Sequence, residues 1–203
     1  MAAKCIEQKS TFVLMEDTVR KILAKYGVEV TRMQNLFLRE SCMRKFQTQE
    51  LLVAENRASS AEYLLVEGIL HRFNAISEGG NVTTGFYVPG NIITPHFARV
   101  SRQRSIFSIA ALTPSVVWEI PVGALDKLRH QYRCFAEFGQ HVVEQELSRL
   151  FLSETVNRTL SAADRLKVFR QQYPGLENLI SHQVIASYLG VTQVSLSRLR
   201  KQK

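Results

Sequence analysis

The chain has 203 residues, 45% of them hydrophobic and 22% charged, with a formal net charge of +8. That composition is ordinary for a globular protein and leaves room for one large domain or two small ones with cores of their own. No stretch approaches the roughly 20 apolar residues of a membrane span, and the run Phe12–Met15 is too short for the core of a signal peptide.

The basic balance favours an anionic partner, nucleic acid first, although it serves solubility equally well. Cys5, Cys42 and Cys134 are widely spaced and odd in number. They fit no disulfide framework, zinc finger or iron–sulfur cluster, and read as reduced thiols of a cytoplasmic protein.

Residues 16–40 carry apolar side chains at helical spacing, with Val19, Ile22, Leu23 and Tyr26 before Gly27, and Val30, Met33, Leu36 and Phe37 after it. From Met43 to Pro121 the period changes. Short runs rich in Val, Ile, Leu, Phe and Tyr fall at 50–54, 63–66, 69–73, 82–88, 105–112 and 115–120. Turn residues separate them: Gly68, Glu78–Asn81, Pro89–Asn91 and Thr113–Pro114. Many short strands at this spacing predict an antiparallel barrel or jelly roll.

Helical sequence resumes at Pro121, and a long segment runs from Arg133 to about Leu160. Phe135, Phe138, Val142, Val143, Leu147, Leu150, Phe151 and Val156 lie mostly three or four apart in it. Such a seam suits pairing with a second copy of the chain, or packing against the chain's own barrel, or each on a different face. Ser161 followed by Ala162, Ala163 and Asp164 is a helix start, and Tyr173–Pro174–Gly175 ends that helix.

The stretch Asn178–Lys203 contains no Asp or Glu. Within it, Ala186 suits a close helix crossing and Gly190, four residues on, suits a sharp turn at positive φ. Ile185, Leu189, Val191, Leu196 and Leu199 fall where a two-helix unit buries its contacts. Ser181 and Thr192 are placed to cap the two helices. Thr192, Gln193, Val194, Ser197, Arg198 and Lys201 are left facing outward on the second helix, as in a helix-turn-helix that reads DNA.

Barrel, long helix and helix-turn-helix in this order resemble the Crp/Fnr family of bacterial transcription regulators. The closest echoes are PGNII (89–93), RSIFSIAALTPSVV (104–117) and the segment 161–201. The resemblance implies an α+β protein in three parts. Residues 1–132 would form N-terminal helices and a cyclic-nucleotide-binding-like jelly-roll barrel. Residues 133–160 would form a dimerisation helix, and residues 161–203 a DNA-binding domain.

The resemblance further implies a cytoplasmic homodimer, not an enzyme, that binds a palindromic double-stranded DNA operator and works with RNA polymerase. Gln193, Val194 and Arg198 fall at base-reading positions, and Ser181, Thr192, Ser195 and Lys201 at phosphate-facing ones. The chemistry agrees: Arg reads guanine bidentately, Gln suits adenine, Val packs on a thymine methyl, and hydroxyls and Lys suit phosphates.

The effector pocket of the resemblance would include Arg104, Ser105, Leu150 and Phe151. The match is incomplete there. After Gly90 the chain reads Asn-Ile-Ile-Thr-Pro-His-Phe, without the Glu that holds a ribose in cyclic-nucleotide binders. Leu150 and Phe151 stand where those members offer hydroxyls to adenine. No tight cyclic-AMP binding is expected, and no cofactor is implied.

Arg99, Arg102 and Arg104 make a basic loop that is either solvated or meets an acidic effector. His71, His96 and His141 are isolated, so they read as structural or surface groups rather than metal or haem ligands. A cupin-like metal enzyme lacks its His-x-His pair, and a cyclic-nucleotide sensor without DNA binding sits poorly with the basic C-terminal helix.

Overall fold

The structure is a computed structural model that describes residues 2–76, 79–94 and 104–201, with side chains described from Val13 onward. Helices α1 (Ala2–Lys25) and α2 (Thr31–Glu40) open the chain. Met15, Val19, Ile22 and Leu23 form the buried stripe of α1, continued by Tyr26 just past its end. At the break between the two helices, the buried Gln34 amide donates to Val28 O at 2.9 Å and to Arg20 O at 3.3 Å. The buried amide thereby has both of its N–H groups satisfied inside the protein.

Eight strands follow among the described residues: β1 (Cys42–Phe46), β2 (Leu51–Val53), β3 (Ala61–Glu67), β4 (Leu70–Ala75), β5 (Asn81–Tyr87), β6 (Ile92–Ile93), β7 (Ser108–Ala111) and β8 (Ser115–Pro121). They form two antiparallel sheets, ordered β1-β8-β3-β6 and β2-β7-β4-β5. The expected barrel is therefore a jelly-roll-like sandwich of two open sheets. β1 and β6 were not legible, because CMRKF on a sheet edge is mostly polar and exposed and β6 is two residues long.

Alternation along β3 divides the core. Ala61, Tyr63 and Leu65 face the second sheet, with Phe46, Leu70, Tyr87, Ile93, Ile109 and Val117. Leu64 and Val66 face outward with Trp118 and Ile120, onto α1, α2 and the helices that follow β8. Both faces are covered, so Tyr63–Val66 reads as one continuous apolar run. The β3–β4 turn requires glycine: Gly68 has φ 88°, and a Cβ there would lie 2.5 Å from Pro114 O.

Helix α3 (Val122–Gln131) leads into α4 (Arg133–Thr159). The fully buried Glu62 carboxylate takes both oxygens to the Arg129 guanidinium of α3, at 3.0 and 3.2 Å. Gly139 of α4 leaves room for that guanidinium, since a Cβ would sit 2.9 Å from Arg129 Nε. The seam of α4 divides along its length. Phe135, Phe138 and Val142 are buried in the helical layer, whereas Val143, Leu147, Leu150, Phe151 and Leu152 are exposed.

The C-terminal unit consists of α5 (Ala162–Gln172), a 3-10 turn at Leu176–Asn178, α6 (His182–Leu189) and α7 (Gln193–Lys201). The Ser161 hydroxyl caps α5, accepting from Asp164 N at 3.2 Å. The unit's core of Leu166, Phe169, Leu176, Ile185, Ala186, Leu189 and Leu196 continues into Ile69 and Phe86 of the sandwich.

Candidate functional site

The two-helix unit folds as its residue pattern requires. The Ser181 hydroxyl accepts from Val184 N at 3.4 Å, and the Thr192 hydroxyl accepts from Ser195 N at 3.1 Å. Gly190 ends α6 at φ 65°, donating back to Ala186 O and Ser187 O. Leu196 and Ala186 are buried between the helices.

That packing leaves Gln193, Val194, Ser197, Arg198 and Lys201 exposed, with Val194 62% accessible. Ser181 and Thr192 are exposed as well, and the half-buried Ser195 has its hydroxyl 2.9 Å from that of Thr192. Lys203 lies outside the described residues.

Arg200 has a different role from its basic neighbours. Its Nε meets Glu177 Oε1 at 2.7 Å, and its guanidinium also contacts the His182 ring. Arg170 of α5 takes the same carboxylate through Nε at 2.7 Å and Nη2 at 3.1 Å. Hydrogen bonds from Arg170, then the charges of Arg170 and Arg200, hold the Glu177 carboxyl below its ordinary range, against the effect of burial. Glu177 thus ties α5 to α7 and orients the exposed face of α7. Sequence reasoning missed it, although it is the acid immediately before the acid-free stretch.

The expected effector residues differ in their surroundings. Arg104 is exposed. Ser105 is buried, with its hydroxyl donating to Phe107 O at 2.7 Å and its backbone paired to Asn56 and Arg57. Leu150 lines a groove of about 560 Å³ together with Arg72, Thr84, Arg165 and Tyr188. Phe151 is 60% exposed. Arg99, Arg102 and His96 lie outside the described residues.

A larger cavity of about 710 Å³ opens on another side of α4, where Tyr26, His141, Gln145, Glu146, Arg149 and Tyr173 contribute to its wall. There the Tyr26 hydroxyl donates to Gln145 Oε1 at 2.7 Å.

Between groove and cavity stands a charged cluster. Arg72 Nη1 lies 3.1 Å from Glu146 Oε1, and Arg149 pairs with the other oxygen of the same carboxylate. Burial works against the charge of Arg149, but the Glu146 carboxylate outweighs it and raises the pKa. Desolvation raises the phenols of Tyr87, Tyr173 and Tyr188 around it, so all three stay neutral.

His71 is buried, with Nδ1 3.2 Å from Thr83 Oγ1 and its ring stacked on Phe73. Burial lowers its pKa from 6.5 to about 4. Among the described residues no group of three or more His, Cys, Asp or Glu is placed to hold a metal ion. Cys42 and Cys134 are free thiols, and no helix among the described residues is long and apolar enough to cross a membrane.

Residues 43–132, the sandwich with α3, match the family model described as the cyclic nucleotide-binding domain. Solved structures extend the likeness over most of the chain. FixK2 from Bradyrhizobium japonicum is 18% identical, with 80% of this chain and 83% of that chain covered at a TM-score of 0.68. The c-di-GMP responsive global regulator CLP of Xanthomonas campestris is 14% identical, with 85% and 91% covered at a TM-score of 0.68. A protein from Eubacterium rectale assigned to the crp/fnr family of transcriptional regulators is 17% identical, with 84% and 81% covered at a TM-score of 0.66. The likeness is one of fold: a cyclic nucleotide-binding domain followed by helices in the arrangement of these proteins. No curated protein matches the chain in sequence.

Proposed function

We propose that the chain is a homodimeric, sequence-specific transcription regulator of the Crp/Fnr type, acting in the cytoplasm on a palindromic DNA operator and working with RNA polymerase. The observation that carries this reading is the free face of α7. Gln193, Val194 and Arg198 are exposed together on a capped, packed helix, with Lys201 one turn beyond Arg198. Its residue types match base edges and phosphates, and Arg200 is drawn aside by Glu177.

The exposed stripe of Val143, Leu147 and Leu150 supports pairing of α4 with a second copy. Two-fold symmetry then calls for half-sites roughly 10–10.5 bp apart. Selection of bound duplexes from a random pool tests the reading. A palindrome with that spacing is the expected product, and a pool without enrichment refutes it.

The regulator works without cyclic AMP in this proposal. No Glu follows Gly90 at the ribose position, and the Ser105 hydroxyl is already used within its own loop. A cyclic phosphate bound without its full set of partners bears an uncompensated desolvation cost. Titration calorimetry is expected to find no cyclic-AMP affinity in the micromolar range.

A further inference from the structure

Glu146 is the only carboxylate in the described cluster between cavity and groove, and it bridges two arginines from different parts of the fold. Arg72 belongs to β4 of the sandwich and Arg149 to α4. Both guanidiniums are also held by groups other than Glu146. Arg72 donates to the Thr84 hydroxyl at 3.1 Å and lies over the Phe107 ring at 5.3 Å. Arg149 donates to Phe86 O at 3.3 Å and lies over the Tyr87 ring at 4.7 Å. The two cations are therefore set in place on aromatic supports, and the carboxylate reaches them from the end of a flexible side chain.

We propose that Arg72 and Arg149 form a binding site for a small oxyanion, a carboxylate or a phosphate group, and that Glu146 is its built-in occupant, displaced when the ligand binds. Two half-buried guanidiniums need an anion between them, since an unpaired buried charge is costly. Exchanging one oxyanion for another keeps the charge balance and the paired hydrogen-bond geometry. Displacement is thus far easier than vacating the site. Access is present on both sides: Glu146 and Arg149 line the cavity of about 710 Å³, and Arg72 lines the groove of about 560 Å³. The pair is distinct from Arg104 and Ser105, which line neither space.

Phe86, whose carbonyl receives Arg149, packs against Phe169, Tyr173 and Tyr188 of the C-terminal unit. An effect of the ligand on DNA binding rests on the regulator reading. Binding itself does not, and measuring it without DNA keeps the two separate.

The test titrates the full chain and its Glu146→Gln variant with inorganic phosphate and with succinate, by calorimetry and thermal shift. Sodium chloride at matched ionic strength is the control. Glu146→Gln is expected to bind at least one probe about tenfold or more tighter than the unmodified chain, and Arg72→Gln added to it is expected to abolish the gain. A gain with phosphate alone assigns a phosphoryl ligand, and a gain with succinate alone a carboxylate. Equal binding by both chains, or a gain that sodium chloride reproduces, overturns the proposal. If Glu146→Gln does not fold, Glu146→Asp, which keeps the charge but shortens its reach, is read in the same way.

Discussion

The hydroxyl of Ser187, on the first helix of the helix-turn-helix, accepts a hydrogen bond from the backbone N–H of Thr83 at 3.0 Å and donates to Asn81 O at 3.1 Å. β5 is the edge of its sheet, so one side chain satisfies backbone groups that would otherwise face solvent or a foreign strand. The C-terminal unit and the sandwich are joined here by polar contacts, beside the packing of Phe86. Ser187→Ala should cost about 1 kcal/mol and leave the Thr83 amide open. Hydrogen exchange at Thr83 should rise well above that of amides in β3, and unchanged protection would refute the latch.

His71 should make stability fall in mild acid. Its folded pKa of about 4 lies below the ordinary 6.5, so the neutral ring's contribution is complete above about 6.5 and is lost as the pH falls toward 4. Up to about 3 kcal/mol is at stake. The difference in urea midpoint between neutral and acidic pH should shrink in His71→Phe, which keeps the ring stack without the titrating nitrogen.

The stripe on α4 predicts the assembly. Leu147→Glu or Leu150→Glu should convert a dimer into monomers that bind DNA poorly, because the charge would be buried against its own copy. Sedimentation at micromolar concentration decides this. A parent chain that is already monomeric, with unchanged variants, removes the proposed dimer.

Arg198 and Lys201 should separate by task. Arg198→Ala should cost about 1–3 kcal/mol and relax preference at one base pair per half-site. Lys201→Ala should weaken all sequences alike and lower the salt slope by about one unit per subunit. Titrations of the selected operator and its variants at several salt concentrations distinguish the two. Base preference unchanged by Arg198→Ala would mean that α7 is not the reading helix.

Local chemistry made much of this protein legible in its sequence. Ser161, Ser181, Thr192 and Gly190 act within a few residues of themselves, so caps and turn follow from their types and spacing. Short runs rich in Val, Ile, Leu, Phe and Tyr between turn residues marked six of the eight described strands, several of them buried along their whole length. The apolar spacing of residues 133–156 marked α4 but not its division into a buried first part and an exposed remainder. Periodicity shows that a face is apolar without saying what covers it.

The remaining features depend on residues brought together from distant parts of the chain, and tertiary structure alone decided them. Glu177 and Arg200 are 23 positions apart, and Arg72 and Glu146 are 74 apart. No local preference links such partners. Whether the sheets closed into a barrel also turned on long-range pairing, and the edges at β5 and β6 left it open. The sequence by itself determined the elements, their order and the outward chemistry of α7, because those are set by neighbours three or four residues away. The ion pairs, the Ser187 latch and the cavities around α4 arose only when the sandwich, the long helix and the C-terminal unit packed together and excluded water from the groups between them.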